Sequence, residues 1–361
     1  MPHGPTSTQI QTGGIGGKPR GPRISRRRFV SVALPGLIGF PAVVRAQGVS
    51  ADEWKGIVAS ARKEGSVVVY SSTVVSVSER LKADFEQAFP GIIMEFARNS
   101  GTAQLSKLAQ ERQTGADGAD VAINTELLWF EERIKDRSIL SPRGPSVDSW
   151  PPSYMIGGEV PVLALEPFVL TYNTNLIKTA IIGYADLLKA EYKGRFGVQD
   201  IVATSVLAWY DWLEKTYGPD FLANLAAQQP QIYFSGPTAV QSVAAGELPI
   251  CAFTNLGSAL PLVNQGAPIK IVLPNPSYGI RYAGGLLAWA KRPNAAQLFM
   301  EYVLSPRGQR VWNGKGETAS PLPNIPGSLD ANTVHPYDPA AYPPEVVTAY
   351  QEKWRALFKR N

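Results

Sequence analysis

Three short runs of small polar residues each follow an apolar run and precede a stretch of helical periodicity: Ser71-Ser72-Thr73, Asn99-Ser100-Gly101-Thr102 and Asn124-Thr125. Hydroxyls, carboxamides and the free N–H groups at helix starts suit an anion or a polar organic molecule. The same residue types are routine helix caps, so the pattern by itself leaves both roles open at each position. Further along, Thr204 and Ser205 open another helical run, and Thr254 and Asn255 follow another apolar run. Tyr172, Tyr278 and Arg281 sit beside two proline-punctuated stretches. Arg281 is suited to clamping a carboxylate or phosphate through paired hydrogen bonds, with a surface ion pair as its competing role.

Catalytic signatures are mostly missing. Once the first 46 residues are set aside, His335 is the one histidine, so there is no multi-histidine metal pattern, and a Ser-His-Asp arrangement would have to use a residue in a proline-rich tail loop. No Gly-x-Ser-x-Gly occurs, and Gly314-Lys315 lacks the preceding glycine of a phosphate-binding P-loop. Basic residues are scattered over helix faces and not interleaved with aromatics, which disfavours nucleic-acid binding. No cofactor motif is found. Cys251 is the single cysteine, so an intramolecular disulfide is impossible, and its apolar run 248–253 predicts a packing role. A nucleophilic role would need an exposed thiol with a lowered pKa.

The elements that must position these residues alternate between strand and helix, the pattern of mainly parallel α/β sheets. Residues 66–70 are too continuously apolar for a half-exposed strand and suit one covered on both faces. Leu81, Phe85, Ala88 and Phe89 then share a helical face. The unit repeats from 92–96 and again from 120–123, so the three polar loops fall at equivalent places, beyond the carboxyl ends of strands where ligands gather in open sheets. A proline-rich shift at 141–152 leads to an extended run, 160–172, which is read as a crossing into a second lobe. Strands at 195–199, 231–235, 249–253 and 269–273, with a helix at 205–217, belong to that lobe. Residues 275–279 return the chain, before a glycine-rich strand at 283–290 and a helix at 294–304. Val346, Tyr350, Trp354, Leu357 and Phe358 make the apolar stripe of a helix packed on the outside of a lobe.

Charge is unevenly spread. Residues 1–46 carry seven of the basic residues and no acid, so without them Lys plus Arg falls from 35 to 28 against 30 Asp plus Glu, and the net charge from +5 to −2. Ser25-Arg26-Arg27-Arg28-Phe29-Val30 resembles the twin-arginine export motif, and the apolar run 30–44 ends in the small-residue site Val44-Arg45-Ala46. The expectation is a signal peptide cleaved after Ala46; the run falls short of the roughly 20 apolar residues of a membrane span. The remaining 315 residues exceed the usual size of one core, which predicts two lobes.

Residues 67–72, 85–92, 119–123, 169–174, 284–296 and 299–309, in this order, resemble the extracellular solute-binding proteins of ABC importers, in the group that includes ferric-iron-binding proteins. The resemblance implies a two-lobe type II periplasmic binding fold, each lobe a mainly parallel sheet flanked by helices, joined by crossing hinge strands. Lobe 1 is expected at 47–165 plus 278–318 and lobe 2 at 166–277 plus 319–361. It implies a periplasmic, monomeric, non-enzymatic protein whose partners are a small solute, a membrane permease and, for the precursor, the twin-arginine export machinery. The chain departs from the iron-binding members where their neighbouring tyrosine ligands follow the strand matching 249–253: here the residues are Thr254-Asn255-Leu256-Gly257-Ser258, and the first loop continues Thr73-Val74. Leucine and glycine cannot offer a hard cation the anionic oxygens it needs. The expected ligand is therefore a small polar organic solute, negatively charged. Ferric iron or an iron chelate is the alternative within the family, and a thiaminase-like enzyme using Cys251 the alternative of another class.

Overall fold

Helix formation begins where the sequence supplies its own cap. Ser50 accepts from the Glu53 N–H at 3.3 Å while Glu53 accepts from the Ser50 N–H at 2.9 Å, and Gly65, at φ 72°, takes the left-handed turn that ends α1 (Ala51–Glu64). The computed structural model describes residues 49–99, 101–201 and 203–358. The leader at 1–46 and the candidate Ser100 lie outside the described residues, as does the side chain of Thr102.

Three strand–loop–helix units follow: β1 (Ser66–Ser71) and α2 (Val75–Ala88), β2 (Ile93–Arg98) and α3 (Gly101–Thr114), β3 (Val121–Asn124) and α4 (Leu127–Lys135). The fourteen-residue strand β4 (Val160–Asn173) is buried throughout, in keeping with its largely apolar sequence, and carries Glu166, Thr171 and Asn173 into the interior. Beyond it come β5 (Phe196–Gln199), α5 (Thr204–Tyr217), α6 (Phe221–Ala227), β6 (Gln231–Tyr233), α7 (Gly236–Ala245), β7 (Ile250–Asn255), α8 (Leu256–Asn264) and β8 (Ile269–Val272). The chain ends with β9 (Ser277–Leu287), α9 (Pro293–Leu304), α10 (Pro306–Asn313), β10 (Val334–Pro336) and α11 (Pro344–Phe358).

The main sheet runs β2-β1-β3-β9-β4-β7-β5-β6. β1 lies parallel to β2 and β3, and β5 lies parallel to β6 and β7. The antiparallel pair β4 and β9 joins the two parallel sets. β4 changes partner midway: Pro167 lies opposite Gly279 of β9, and the next residue, Phe168, lies opposite Asn255 of β7. Gly284 and Gly285 explain the glycine-rich stretch of β9, because a Cβ at Gly284 would stand 2.5 Å from Leu163 Cδ1 and one at Gly285 2.8 Å from Ile139 Cδ1.

Each parallel set has its own core. Val69, Leu81, Phe85, Phe299 and Trp312 pack together on one side, and Phe196, Trp209, Tyr210, Leu213 and Phe253 on the other. At about 25 cal/mol per Å² of apolar surface, burying each such side chain contributes roughly 1.5–3 kcal/mol. Trp354 of α11 is fully buried, 5.7 Å between ring centroids from Tyr210, so the apolar stripe of that helix packs as its spacing predicts. Among the described residues no helix is long and apolar enough to cross a membrane.

Candidate functional site

The parallel strands of both sets end toward a cavity of about 520 Å³. Gly101, Thr125 and Glu126 line it from the loops after β2 and β3. Ile201, Ala203, Thr204, Ser205 and Leu207 line it from the loop after β5 and the start of α5. Ile280 of β9, Tyr337 and Gln351 complete the wall. Four of the expected residues, Gly101, Thr125, Thr204 and Ser205, are thus brought together from opposite sides.

The start of α5 is an anion-attracting feature. Ala203 stands at its cap position and has no side chain that could cap it. The amides of Val206 and Leu207 reach the Ala203 carbonyl at 3.1 and 3.2 Å, whereas those of Thr204 and Ser205 have no acceptor among the described residues. Free N–H groups at the positive end of a helix favour negative charge.

The first polar loop is partly occupied with itself. The Ser71 and Thr73 hydroxyls are 2.7 Å apart, the Thr73 amide donates to Ser71 Oγ at 3.1 Å, and both residues are buried. The Ser72 amide donates to the Ile123 carbonyl at 3.0 Å, while its buried hydroxyl has no partner among the described residues. Asn124 is fully buried, donating to the Gly101 carbonyl at 3.2 Å and Gln104 Oε1 at 3.1 Å and accepting from the Glu126 amide at 3.0 Å. It shapes the loop and leaves Thr125 and Glu126 to face the cavity. Asn99 is half-buried, its amide on the Ser71 carbonyl at 3.2 Å.

Beyond β7, Thr254 is buried with its hydroxyl unpaired among the described residues, and Asn255 Oδ1 accepts from Ser258 Oγ at 2.5 Å. The two halves touch here: a Cβ at Gly257 would lie 3.2 Å from Glu166 Oε1 and 3.5 Å from each Val74 methyl. Leu256 is buried beside it.

Three expected residues stand apart from the cavity lining. Tyr172 lies opposite Ile250, at the start of β7, whereas the loops gather at the strand's other end; it is buried in the core. Tyr278 is buried with its ring 6.0 Å from that of Phe168 and 5.5 Å from that of Trp212, its hydroxyl unpaired among the described residues. Arg281 alternates with Ile280 along β9 and so points to the opposite face, where Nη2 donates to the Tyr337 carbonyl at 3.2 Å. Burial lowers its pKa. It makes no ion pair within the described residues, so the competing surface-bridge role is not what the geometry gives.

Glu126, Tyr337 and Gln351 are cavity residues that the sequence reading passed over. Glu126 follows directly on a loop already singled out. Tyr337 sits in the stretch read as a solvated tail, but residues Val334–Pro336 form β10 parallel to β9, and the Tyr337 amide donates to the Gly279 carbonyl at 2.8 Å. Gln351 comes from α11, whose polar positions look outward when read as a stripe. The Ser235-Gly236-Pro237-Thr238 turn at the start of α7, where Ser235 Oγ caps the Thr238 amide at 3.3 Å, also repeats the pattern of the other loops.

Burial raises the Glu126 carboxyl pKa, and burial followed by the nearby Glu126 charge raises that of Tyr337. Cys251 is buried, donates to the Phe253 carbonyl at 3.3 Å and has its pKa pushed up to about 12 by burial. It is therefore a packed thiol, as its apolar run predicts. No cluster of three or more His, Cys, Asp or Glu among the described residues could hold a metal ion. A larger groove, about 710 Å³, lies between α2 and α10; of its four charged residues, Arg80 pairs with Glu317 at 2.5 Å and Asp84 with Arg307 at 2.7 Å, while Arg310 and Lys315 make no ion pair among the described residues.

The profile of the bacterial extracellular solute-binding proteins matches residues 67–316. No curated protein matches the chain. Among solved structures it is similar to the substrate-binding protein of an ABC transporter from Agrobacterium tumefaciens, at 17% identity and TM-score 0.70, over 83% of this chain and 97% of that one. Iron-bound HitA from Pseudomonas aeruginosa gives 18% identity and TM-score 0.60 over 81% and 98% of the two chains. The periplasmic binding protein AfuA from Actinobacillus pleuropneumoniae, with fructose-6-phosphate bound, gives 20% identity and TM-score 0.61 over 82% and 100%. At these identities the likeness establishes the fold, the mixed α/β architecture of periplasmic binding proteins.

Proposed function

The chain belongs to the bacterial extracellular solute-binding protein family, and we propose that it captures a small polar organic solute with a negatively charged group and delivers it to the permease of an ABC importer. The observation that carries this reading is the 520 Å³ cavity with Thr125 on one wall and the uncapped start of α5 at Thr204 and Ser205 on the other. A solute touching both walls favours the closed arrangement through its differential affinity for it. The lobes would divide at 47–165 plus 278–318 and 166–277 plus 319–361, which fits the change of partner between Pro167 and Phe168 of β4. Ser72, Asn99, Thr254 and Asn255 extend the site along the cleft beside Val74 and Gly257. The protein would work as a periplasmic monomer after twin-arginine export.

A sugar phosphate in AfuA is a precedent for an anionic organic ligand on this fold. Iron in HitA is the precedent for the rival reading. That rival is less well supported, because buried Leu256 and side-chain-free Gly257 stand where tyrosine ligands would be needed. The test is a thermal-shift screen of carboxylates, phosphates, phosphonates, amino acids, sugars and polyamines, followed by titration of Thr204→Val and Ser205→Ala. A ligand at 100 times its dissociation constant adds about 2.7 kcal/mol of stability. A coloured ferric complex, or a melt shifted by cations alone, would sink the proposal.

A further inference from the structure

The start of α5 alone would select an anion, but the opposite wall does not. Glu126 is the one charged side chain among the described residues that line the cavity. Its amide is held by Asn124 at 3.0 Å, yet its carboxylate receives no hydrogen bond or ion pair from any described residue. Gly101 keeps the approach to it clear: a Cβ there would already stand 3.0 Å from Glu126 Oε1. Glu126 itself is exposed, and the partial desolvation of its carboxyl by the surrounding wall raises its pKa.

A carboxylate on one wall and a helix N-terminus on the other make a cavity with two electrical poles. A purely anionic solute would satisfy the α5 end and meet like charge at Glu126. A purely cationic one would pair with Glu126 and leave the Thr204 and Ser205 amides facing positive charge. One ligand class answers both.

Resting on the capture of a solute in this cavity, we infer that the solute is a zwitterion: a small molecule whose carboxylate, phosphate or phosphonate faces Thr204 and Ser205 and whose ammonium group donates to Glu126. The ammonium restores to Glu126 the partner the protein withholds, and the hydrogen bond is charge-assisted on both sides.

Calorimetric titration of the full chain with matched pairs tests this: β-alanine against propionate, and 2-aminoethylphosphonate against ethylphosphonate, with ethylamine as the cation alone. The amino member of each pair should bind at least about tenfold more tightly, the scale of one hydrogen bond between charged groups. Glu126→Gln should bring that ratio close to one while leaving ethylphosphonate binding intact or improved, which also reports that the variant is folded. Glu126→Asp should retain part of the preference. Equal or tighter binding of the desamino member, or a preference that survives Glu126→Gln, overturns the zwitterion and leaves the capture of an anion standing. Binding of ethylamine alone, or of no compound in either class, overturns the cavity reading together with it.

Discussion

The Tyr282 hydroxyl donates to Glu166 Oε2 at 2.6 Å, and both residues are buried where β4 and β9 join the two halves of the sheet. The other carboxyl oxygen of Glu166 receives the Gly257 amide, at the start of α8, at 3.4 Å. One side chain on the crossing strand therefore touches β9 and the second half at once. Removing the hydroxyl with Tyr282→Phe leaves an acceptor without its strong donor. We expect a loss of about 1–3 kcal/mol in urea unfolding. A change within a few tenths would mean that the pair adds little.

Glu166 also sets a pH dependence. Burial raises its pKa above the ordinary 4.5. A carboxyl raised on folding contributes stability that is complete below the unfolded pKa and lost as pH rises through the folded one. Glu166→Gln keeps the shape without the charge, so its melting temperature should gain on the unaltered protein as pH climbs from about 4 to 8. Parallel curves would show that Glu166 does not titrate in this window.

Asp120 anchors the first half. Its fully buried carboxylate accepts from the Val68 amide at 2.8 Å, the Lys291 and Arg292 amides at 3.1 and 3.0 Å, and Arg292 Nε at 2.6 Å. Asp120→Ala strands three amides and half of a buried ion pair, and the expected cost is about 3–5 kcal/mol. Asp120→Asn, which retains acceptors, should cost less. Near-neutral melting of the alanine variant would contradict this accounting.

Local pattern made the strands and helices readable, because residues 67–70 are apolar without a break, residues 160–172 are largely apolar, and the helix faces repeat at the right spacing. The loops after β1, β2, β3, β5 and β7 were readable for the same reason. What periodicity does not carry is which side chains those loops spend on themselves. Ser71, Thr73 and Asn124 look like ligand donors in a row of letters, and only the fold reveals that they hold one another and their neighbours. Tyr337 and Gln351 reach the cavity through a parallel pairing of β10 with β9 and the docking of α11, contacts that span tens of residues and leave no local mark. Arg281 shows the reverse problem: its type suits an anion, but alternation along β9 turns it from the Ile280 face.

Cys251 separates a binding protein from an enzyme on the same scaffold. Its thiol is buried and held protonated by a pKa of about 12, so a soluble thiol reagent should leave the native protein unmodified and react fully in denaturant. Cys251→Ala should leave solute affinity unaltered. Rapid labelling of the native state would return the nucleophile to consideration.

The pH dependence of solute affinity gives the sharpest view of Glu126. In the empty protein desolvation raises the Glu126 carboxyl pKa, so its contribution to stability is complete below the unfolded pKa and is lost as pH rises through the folded one. An ammonium ligand reverses the preference, since it pairs with the carboxylate. Affinity for β-alanine or 2-aminoethylphosphonate should therefore be steady at about pH 8 and fall as pH drops through the raised pKa, approaching tenfold per pH unit for one coupled proton. Ethylphosphonate should show the opposite trend, binding better as Glu126 takes up its proton and the like charge disappears. In Glu126→Gln both curves should lose this component and run level apart from the titration of the ligand itself. Calorimetry in buffers of different ionisation enthalpy, at a pH near the raised pKa, counts the proton directly: a fractional release with the ammonium ligand, and a fractional uptake with the simple anion. Identical proton counts for the two ligands, or a slope unchanged by Glu126→Gln, would place the titrating group elsewhere.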